Sequence, residues 1–450
     1  LDNIPKTKSS QQLQSGSAVI DNRSGDLVAV AGGVGEKTGS LTFNRATQAM
    51  LQPGSTIKPL SVFAPALELG IITPATVYDD TPYSFDDSGP WPKNLDRTYR
   101  GLISVDDAVQ HSINTVAVKV LNDLTPETGD RFAKEKMGLG TLVDREIVNG
   151  EAYTDVALYR LALGGLVHGV TVKDLAAGYA ALANQGVYRE PRTYTRVVRV
   201  TNSNREELLL DNTQSSVNAM GTKEAWYMTY MLENTVQSGT GVKAQLENMA
   251  VAGKTGTTSS DKDRWFCGYT PFYTAAVWCG YDLPEEVILT ESGVNPAITL
   301  WQQVMAGVHE GMTYQDFSKP GDVVKCNYCR DSGLLATEAC KADPRGDRTV
   351  QGYLALEDAP QTYCATHKAV EICDASNQIA NQYCSHAIGN KTHRASLLDI
   401  DRIFPQAGLV VQDQEYVIES AGRLPSGYYN AVSPNGARRG EICVLHSERE

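Results

Sequence analysis

Three short stretches of the chain combine residue types that together can carry out serine-based acyl transfer. They are Ser55 with Lys58 in "PGSTIKP", Ser112 with Asn114 in "HSIN", and Lys254–Thr257 in "GKTGT". A serine hydroxyl is a weak nucleophile and needs a neighbouring base. A lysine amine can be that base only where burial or a nearby positive charge lowers its pKa. The chemistry therefore requires a fold that buries lysines beside a serine.

The serine and the lysine of the first stretch lie at the predicted start of a helix. After Pro53, apolar residues recur at helical spacing as far as Gly70, where a helix is expected to stop. Ser55 and Lys58 are three positions apart, so they share one helix face. The free N–H groups of a first turn can also stabilise an oxyanion.

None of these short patterns is informative alone, because each occurs again elsewhere. Lys37–Gly39 repeats the K-T-G tripeptide in a glycine-rich connection, and we interpret it as a surface turn. Ser259 and Lys262 repeat the serine–lysine spacing, and we interpret them as part of a hairpin loop. One ordered set places the serine–lysine pair at a helix start, then Ser-x-Asn in a helical setting, then K-T-G in a strand.

Longer stretches around this ordered set resemble a known family. They are "FNRATQAMLQPGSTIKPL", "WPKNLDRTYRGLISVDDAVQHSINTVAVKV", "LALGGLVHGVTVKDLAAGYAALANQGVY" and "VAGKTGTTSSDKDRWFCGYTPFYTAAVWCGYD". Each is similar to a part of the transpeptidase domain of bifunctional (class A) penicillin-binding proteins, and together they span roughly residues 15–315. The middle motif is Ser-Ile-Asn, not the Ser-Asp-Asn of many class A β-lactamases, which favours the penicillin-binding branch.

The resemblance implies a catalytic function for five residues. Ser55 would attack the carbonyl of a D-Ala-D-Ala peptide, and Lys58 would take its proton. Ser112 and Lys254 would relay the proton towards the leaving amine. Asn114 would hydrogen-bond the substrate backbone or position Lys58.

The resemblance also implies how substrate is held. The hydroxyl groups of Thr255 and Thr257, with the charge of Lys254, would bind the terminal carboxylate. The backbone amides of Ser55 and Thr257 would form the oxyanion hole. Gly256 would let an extended peptide lie against the strand edge.

Two further residues lie before the second motif, in a stretch that borders the cleft in the family. Trp91 is expected to be a wall of the cleft, and Asn94 to contact substrate. The resemblance implies no cofactor and no metal.

The order of predicted elements indicates an α+β fold of the penicillin-binding protein and serine β-lactamase type. A β-hairpin at the start is followed by helices over about 104–122, 171–185 and 222–237, then three strands and a helix over about 297–312. We expect one sheet to join the two ends of this region around a helical block. The predicted domains are 1–315, the transpeptidase domain, and 316–450, a cysteine-rich and small β-rich module, with no internal repeats.

Seven of the nine cysteines lie in the tail, between Cys326 and Cys443. Cys326-x-x-Cys329 with Cys340, or Cys364 with His367, gives no complete four-ligand zinc pattern. A protein that works outside the membrane usually pairs clustered cysteines, so disulfides are expected rather than metal. Three pairs would leave one cysteine over, and Cys443 is a candidate for it. The run at 408–436 is expected to form short strands and turns.

Composition limits the possible partners. The formal net charge of -13 argues against nucleic-acid binding, which needs a basic surface. No apolar run is long enough to cross a bilayer. The polar start reads like a fragment, and the resemblance places a glycosyltransferase half and a membrane anchor before residue 1. The expected location is the extracytoplasmic face of the cell membrane.

The functional prediction is a D,D-transpeptidase that cross-links peptidoglycan stem peptides and is inhibited by β-lactams. A D,D-carboxypeptidase and a β-lactamase share the acylation step and differ in the fate of the acyl-enzyme. From another class, a β-lactam sensor or wall-binding module would keep the site without turnover.

Overall fold

The computed structural model describes most of the 450 residues. The described residues are 9–37, 39–80, 91–96, 99–201, 205–258, 260–289, 293–343, 346–376, 378–387, 389–398 and 442–447. The predicted strands and turns at 408–436 lie outside them.

The chain forms two compact units. The first comprises residues 1–72, 109–112 and 117–320, and the second comprises 73–108, 113–116 and 321–450. The second unit therefore combines the tail with the segment before the second motif and with Asn114 of that motif. The predicted domains, 1–315 and 316–450, stay a prediction.

Short strands are distributed along the whole described chain. They are β1 Gln14–Asp21, β2 Leu27–Ala31, β3 Val77–Asp80, β4 Gly101–Ser104, β5 Glu146–Val148, β6 Glu151–Tyr153, β7 Val187–Arg189, β8 Arg196–Val200, β9 Glu206–Asp211, β10 Ser216–Asn218, β11 Ala252–Thr257, β12 Asp263–Tyr269, β13 Tyr273–Gly280, β14 Val323–Cys329, β15 Thr349–Ala355, β16 His367–Cys373 and β17 Thr392–Leu398.

Five of these strands form the central sheet of the first unit. Their order is β11-β12-β13-β1-β2, and every neighbouring pair is antiparallel. The pairing of β1 with β13 sets Ala18 opposite Ala276. The expected sheet, which joins the start of this region to its end, is confirmed. Strand β11, which carries the K-T-G motif, has β12 as its one neighbour in the described sheet.

Helices fill the intervals between the strands. They are α1 Ala64–Glu68, α2 Val105–Gln110, α3 Asn114–Leu124, α4 Pro126–Glu135, α5 Leu158–Leu163, α6 Val172–Ala183, α7 Thr222–Ser238, α8 Pro296–Val308 and α9 Glu338–Lys341. The predicted α+β fold class is confirmed. The helix predicted over 104–122 is two helices, α2 and α3, because Ser112 between them has a left-handed backbone with φ 59°.

The helix predicted to start at the nucleophile motif is irregular. A 3-10 turn over Gly54–Ile57 leads into a π-helical turn over Pro59–Phe63 and then into α1. Pro59 has no N–H and its ring disfavours a regular preceding turn, which accounts for the change of helix type at this point.

The central sheet is covered on both faces. Phe266 of β12 packs edge-on against Trp301 of α8, with ring centroids 5.0 Å apart. Tyr269 of the same strand packs against Tyr179 of α6, with centroids 6.5 Å apart. Because 266 and 269 differ in parity along the strand, they point to opposite faces. The sheet therefore lies between α6 and α8.

In the second unit, three antiparallel strand pairs are described: β3 with β4, β14 with β15, and β16 with β17. Across the described residues of both units, no helix has the length and apolar character needed to span a membrane.

Candidate functional site

Ser55 is held on a rigid turn. The turn backbone accepts a hydrogen bond from Tyr179, whose hydroxyl donates to the Thr56 carbonyl at 2.7 Å. The Thr56 hydroxyl donates to the Pro53 carbonyl, also at 2.7 Å. Ser55 itself remains half-exposed, while Thr56 and Ile57 are buried. These contacts fix the turn and leave the serine side chain accessible.

A glycine brings this turn against the K-T-G strand. Gly54 has φ 53°, and a Cβ at this position would lie 2.7 Å from the carbonyl oxygen of Thr257. Only glycine permits so close an approach of two backbones. The contact brings together the segments that carry the Ser55 and Thr257 amides, the two predicted oxyanion donors.

Lys58 is completely buried, with a relative exposure of 0%. Its Nζ donates to the backbone carbonyl of Ser112 at 3.0 Å. Burial, and then the nearby charge of Lys254, hold the pKa of Lys58 well below its ordinary value of 10.5. Lys58 therefore meets the condition for a lysine base.

Lys254 is equally buried and contacts the same serine. Its Nζ donates to the Ser112 hydroxyl at 2.7 Å and to the Thr255 carbonyl at 3.1 Å. Burial lowers the pKa of Lys254 to about 7. Ser112 therefore bridges the two lysines, one through its carbonyl and the other through its side chain.

The backbone of Ser112 explains how one residue contacts both amines. Its φ of 59° is in the left-handed region, which costs a non-glycine residue roughly 1–2 kcal/mol. The Ser112 amide donates to the carbonyl of Val109 at 3.1 Å, closing the end of α2. Strained residues of this kind persist where surrounding contacts over-determine them, and here the two lysines provide such contacts.

The K-T-G strand presents two half-buried hydroxyl groups. The hydroxyl of Thr255 donates to that of Thr240 at 2.9 Å. The hydroxyl of Thr257 accepts a longer hydrogen bond, 3.4 Å, from Arg264. Gly256 lies between them, and a Cβ there would be 2.6 Å from the carbonyl of Pro53. Gly256 is therefore required because the turn that carries Ser55 packs against it. The sequence had suggested a different reason, that the glycine leaves room for an extended peptide along the strand edge.

Thr240 contacts the predicted site residue Thr255 but was not identified from the sequence. It follows α7 in the run "SGTG", and its amide donates to the Gln110 carbonyl at 3.3 Å. A Cβ at Gly239 would lie 2.3 Å from that same carbonyl, so the segment needs glycine there. The one sequence feature that marks Thr240 is a hydroxyl residue between two glycines after a helix end. This feature is too common in proteins to predict a site.

Asn114 and Asn94 belong to the second unit and contact each other. The Asn94 side-chain oxygen accepts from the Asn114 amide at 2.9 Å, at the start of α3. The Asn94 side-chain nitrogen donates to Asp80 at 2.7 Å. The Asn114 side chain donates to the carbonyl of Lys93 at 2.8 Å. Asn94 is buried and caps α3, and Trp91 is half-buried. Their predicted cleft functions stay predictions.

The repeated motifs lie in different surroundings. Lys37 is exposed in the connection after β2, outside any strand, and Thr38 lies outside the described residues. Ser259 likewise lies outside them, and Lys262 is in the hairpin between β11 and β12. The structure agrees with the choice of Lys254 over Lys37 as the strand-borne copy.

The predicted disulfides are not shown by the structure, in which all nine cysteines are unpaired. Six of the seven tail cysteines lie in two groups of three, and each group includes one histidine. Cys443 belongs to one group, and its interpretation as the unpaired cysteine stays a prediction. Cys326 is the tail cysteine outside both groups.

Two family models match the chain in succession. The penicillin binding protein transpeptidase domain matches residues 16–295, and the penicillin-binding protein 1A C-terminal domain matches residues 319–369. The first match covers well over half of the chain and includes all ten predicted site residues.

Individual penicillin-binding proteins are also similar to this chain in sequence. Penicillin-binding protein 1A of Clostridium perfringens is 32% identical over 382 residues, which cover 82% of this chain and 45% of that protein. The chain therefore spans about half the length of the curated relatives it matches.

Solved structures agree with the fold. Penicillin-binding protein 1A of Haemophilus influenzae aligns with a TM-score of 0.61 at 22% identity, covering 78% of this chain and 54% of that one. PonA1 of Mycobacterium tuberculosis, solved in complex with penicillin V, aligns with a TM-score of 0.58 at 25% identity, covering 69% and 82%. With the two buried lysines joined through Ser112 beside the K-T-G strand, these matches establish that the chain belongs to the penicillin-binding protein transpeptidase family.

Proposed function

We propose that this chain is a D,D-transpeptidase that joins peptidoglycan stem peptides through an acyl-enzyme on Ser55. The observation that carries the proposal is the pair of buried lysines that share Ser112. Lys58 follows Ser55 by three residues on the same turn, and its amide donates to the Ser55 carbonyl. A depressed lysine pKa makes the amine a base near neutral pH.

In the proposed acylation, Ser55 Oγ attacks the carbonyl carbon of the penultimate D-alanine while Lys58 accepts the hydroxyl proton. The C–O bond forms and the C–N bond to the terminal D-alanine breaks. The leaving amine takes up a proton, for which the Lys254 amine and the Ser112 hydroxyl, 2.7 Å apart, offer a path. An acceptor amine then attacks the ester carbonyl. The new C–N bond forms, the ester C–O bond breaks, and the proton lost by the amine returns to Ser55 Oγ through Lys58.

The oxyanion of each tetrahedral intermediate would accept hydrogen bonds from the Ser55 and Thr257 amides. The Gly54 contact with Thr257 supports this assignment, since it holds the two backbone segments together. Backbone donors that are already positioned lower the barrier without reorganisation.

The terminal carboxylate would lie against Thr255, Thr257 and the Lys254 charge. These side chains are on β11, whose one neighbour in the described sheet is β12, so an extended peptide can add along the other edge through main-chain hydrogen bonds. The Thr240 hydroxyl, 2.9 Å from that of Thr255, is in reach of the same carboxylate.

β-Lactams are expected to acylate Ser55 because the strained amide takes the place of the D-Ala-D-Ala bond. PonA1, solved with penicillin V, is a relative that binds such a compound. Cross-linking of stem peptides takes place outside the cytoplasm, so we place the working site at the extracytoplasmic face of the membrane.

A donor stem-peptide mimic ending in D-Ala-D-Ala, incubated with an amine acceptor, tests the proposal. Transfer of the acyl group to the acceptor, with release of one D-alanine, is the expected result. Transfer of the acyl group to water alone would indicate a carboxypeptidase, and rapid hydrolysis of penicillin would indicate a β-lactamase. If neither the peptide nor penicillin is turned over, the chain would be a binding module.

The matched serine variants make this test specific. Ser55→Ala should abolish D-alanine release. Ser216→Ala should retain it, because Ser216 is an exposed residue of β10; with Asn218 it repeats the Ser-x-Asn spacing of the second motif. Full activity in Ser55→Ala would contradict the assignment of the nucleophile.

A further inference from the structure

The tail contains two clusters of the same four side-chain types, and neither belongs to the acyl-transfer site. Within each cluster, three cysteine sulfurs and one histidine nitrogen all lie within 4.8 Å of one another. The first cluster is Cys329, Cys340, Cys364 and His367, and the second cluster is Cys373, Cys384, Cys443 and His446.

The two clusters have the same sequence spacing. Ten residues separate the first two cysteines in each, Cys329 from Cys340 and Cys373 from Cys384. In each, the third cysteine and the histidine form a C-x-x-H motif, "CATH" in the first and "CVLH" in the second. The prediction that the chain has no internal repeats is therefore wrong for this region. The repeat is hard to see in the sequence because the second C-x-x-H motif lies much farther from its preceding cysteine than the first does.

The backbone around the clusters repeats as well. The first cysteine of each cluster ends a strand, β14 or β16, and its backbone amide donates a hydrogen bond to a carbonyl five residues later. The Cys329 amide donates to the Leu334 carbonyl at 2.7 Å, and the Cys373 amide donates to the Gln378 carbonyl at 2.9 Å. The equivalent bridges join residues 328, 335 and 363 in the first repeat and 372, 379 and 442 in the second. The same small fold is therefore built twice.

In the first cluster the histidine faces the sulfurs through one nitrogen. Nδ1 of His367 lies 3.4 Å from the sulfur of Cys329 and 3.4 Å from that of Cys364. In the second cluster, Nδ1 of His446 lies 3.4 Å from the sulfur of Cys373 and 3.5 Å from that of Cys443. The same ring nitrogen is presented in both repeats.

Two buried carboxylates orient His367 through the ring nitrogen that does not face the sulfurs. Its Nε2 lies 3.0 Å from Asp343 and 3.3 Å from Asp331, and all three side chains are buried. Arg348 donates to both oxygens of Asp331, at 3.0 and 2.7 Å, and so orients that carboxylate. A proton on Nε2 leaves the Nδ1 lone pair directed at the sulfurs. This carboxylate–histidine arrangement is typical of metal-binding histidines.

Backbone amides also point at the cysteine sulfurs. The Thr337 amide donates to Cys340 at 3.3 Å, and the Asn381 amide, at the equivalent position, donates to Cys384 at 3.3 Å. Such N–H···S contacts stabilise thiolate ligands.

We propose that the tail binds two Zn²⁺ ions, one in each Cys₃His cluster, as tetrahedral structural sites. Three thiolates and one imidazole are a common ligand set for structural zinc. Binding displaces the thiol protons, so each ion replaces up to three protons. Disulfides explain the clusters less well, because three cysteines form one pair and leave a thiol and the histidine without a function.

The packing of each repeat indicates what the metal does. The buried apolar cluster of the first repeat consists of its three cysteines with Leu334 and Ala336 against them, and that of the second consists of its three cysteines with Ala380. Small units with a limited apolar core usually need a metal or disulfides to fold. The ions would therefore add to the stability that buried apolar residues of the tail, such as Tyr328 and Leu354, provide.

Metal content of the full chain, purified from zinc-supplemented medium and dialysed, tests the proposal by elemental mass spectrometry. Two zinc ions per chain are expected. Cys340→Ser should reduce this to one, Cys384→Ser should reduce it to one, and the double variant should bind none. Cys326→Ser is the matched control and should keep two, because this cysteine lies outside both clusters.

A spectroscopic measurement covers the case in which a variant fails to fold. Wild-type chain refolded with Co²⁺ alone should show the visible bands of tetrahedral cobalt and sulfur-to-metal charge transfer, saturating at two equivalents. An intact mass reduced by disulfide formation, with fewer than two ions bound, would overturn the proposal. So would zinc content unchanged in the Cys340→Ser and Cys384→Ser variants.

Discussion

The Nζ of Lys254 lies 2.7 Å from the hydroxyl oxygen of Ser112, although 142 residues separate them in the chain. The carbonyl of the same serine accepts a hydrogen bond from Lys58 at 3.0 Å. One residue in a left-handed conformation therefore connects the K-T-G strand to the turn that carries Ser55.

Lys254→Ala should reduce the rate of acylation by penicillin by on the order of 100-fold or more, the usual loss for a group that moves a proton in the transition state. Lys37→Ala should leave the rate nearly unchanged, because Lys37 is exposed and outside the strands. The measurement is the rate of labelling with fluorescent penicillin. Equal losses in both variants would show that the second K-T-G copy has no special function.

The acylation rate should fall as pH is lowered, since protonation removes the base at Lys58, whose pKa is well below 10.5. The charge of Lys254 helps to lower that pKa, so Lys254→Met should raise the pKa of Lys58. The rising part of the rate profile should then move to higher pH, in addition to any loss of maximal rate. An unmoved profile would show that the two amines do not interact.

Gly256→Ala should slow acylation and lower stability by roughly 1–3 kcal/mol, as overpacking does. The added Cβ would lie 2.6 Å from the Pro53 carbonyl and displace the Ser55 turn. Gly307→Ala is the matched control, because nothing lies within 4 Å of a Cβ there and Gly307 is in α8. It should be neutral or stabilising by up to about 1 kcal/mol. Thermal denaturation and penicillin labelling of both variants measure these effects.

Thr240→Val should weaken turnover of the stem-peptide mimic by roughly 2- to 10-fold, the loss expected from one hydrogen bond. Its hydroxyl accepts from Thr255 and lies beside the proposed carboxylate site. Thr240→Ser keeps the hydroxyl and should restore most of the activity. A serine variant as weak as the valine variant would assign Thr240 a packing function instead.

Much of the catalytic unit is predictable from sequence because its signals are local. Short, nearly continuous apolar runs define β12 and β13, which are buried on both faces of the sheet, and helical spacing defines α6 and α7. The break at Ser112 was not predictable, since "VQHSINTV" contains no glycine or proline to mark it. Two lysines separated in sequence, one on each side of Ser112, hold the strained conformation.

The two cysteine–histidine clusters of the tail were not predicted from the sequence, and the reason is physical. Cys329 and Cys364 meet only after β14 and the following loops fold, so their separation in sequence does not reveal a shared site. Thr240 was missed for the same reason, because its contact with Thr255 depends on how α7 packs beside β11.

Mass spectrometry of the full chain after reaction with penicillin identifies the acylated residue. We expect one penicilloyl adduct per chain, on the peptide that contains Ser55, and no adduct in Ser55→Ala. An adduct on another residue, or one that persists in Ser55→Ala, would contradict the assignment of Ser55 as the nucleophile.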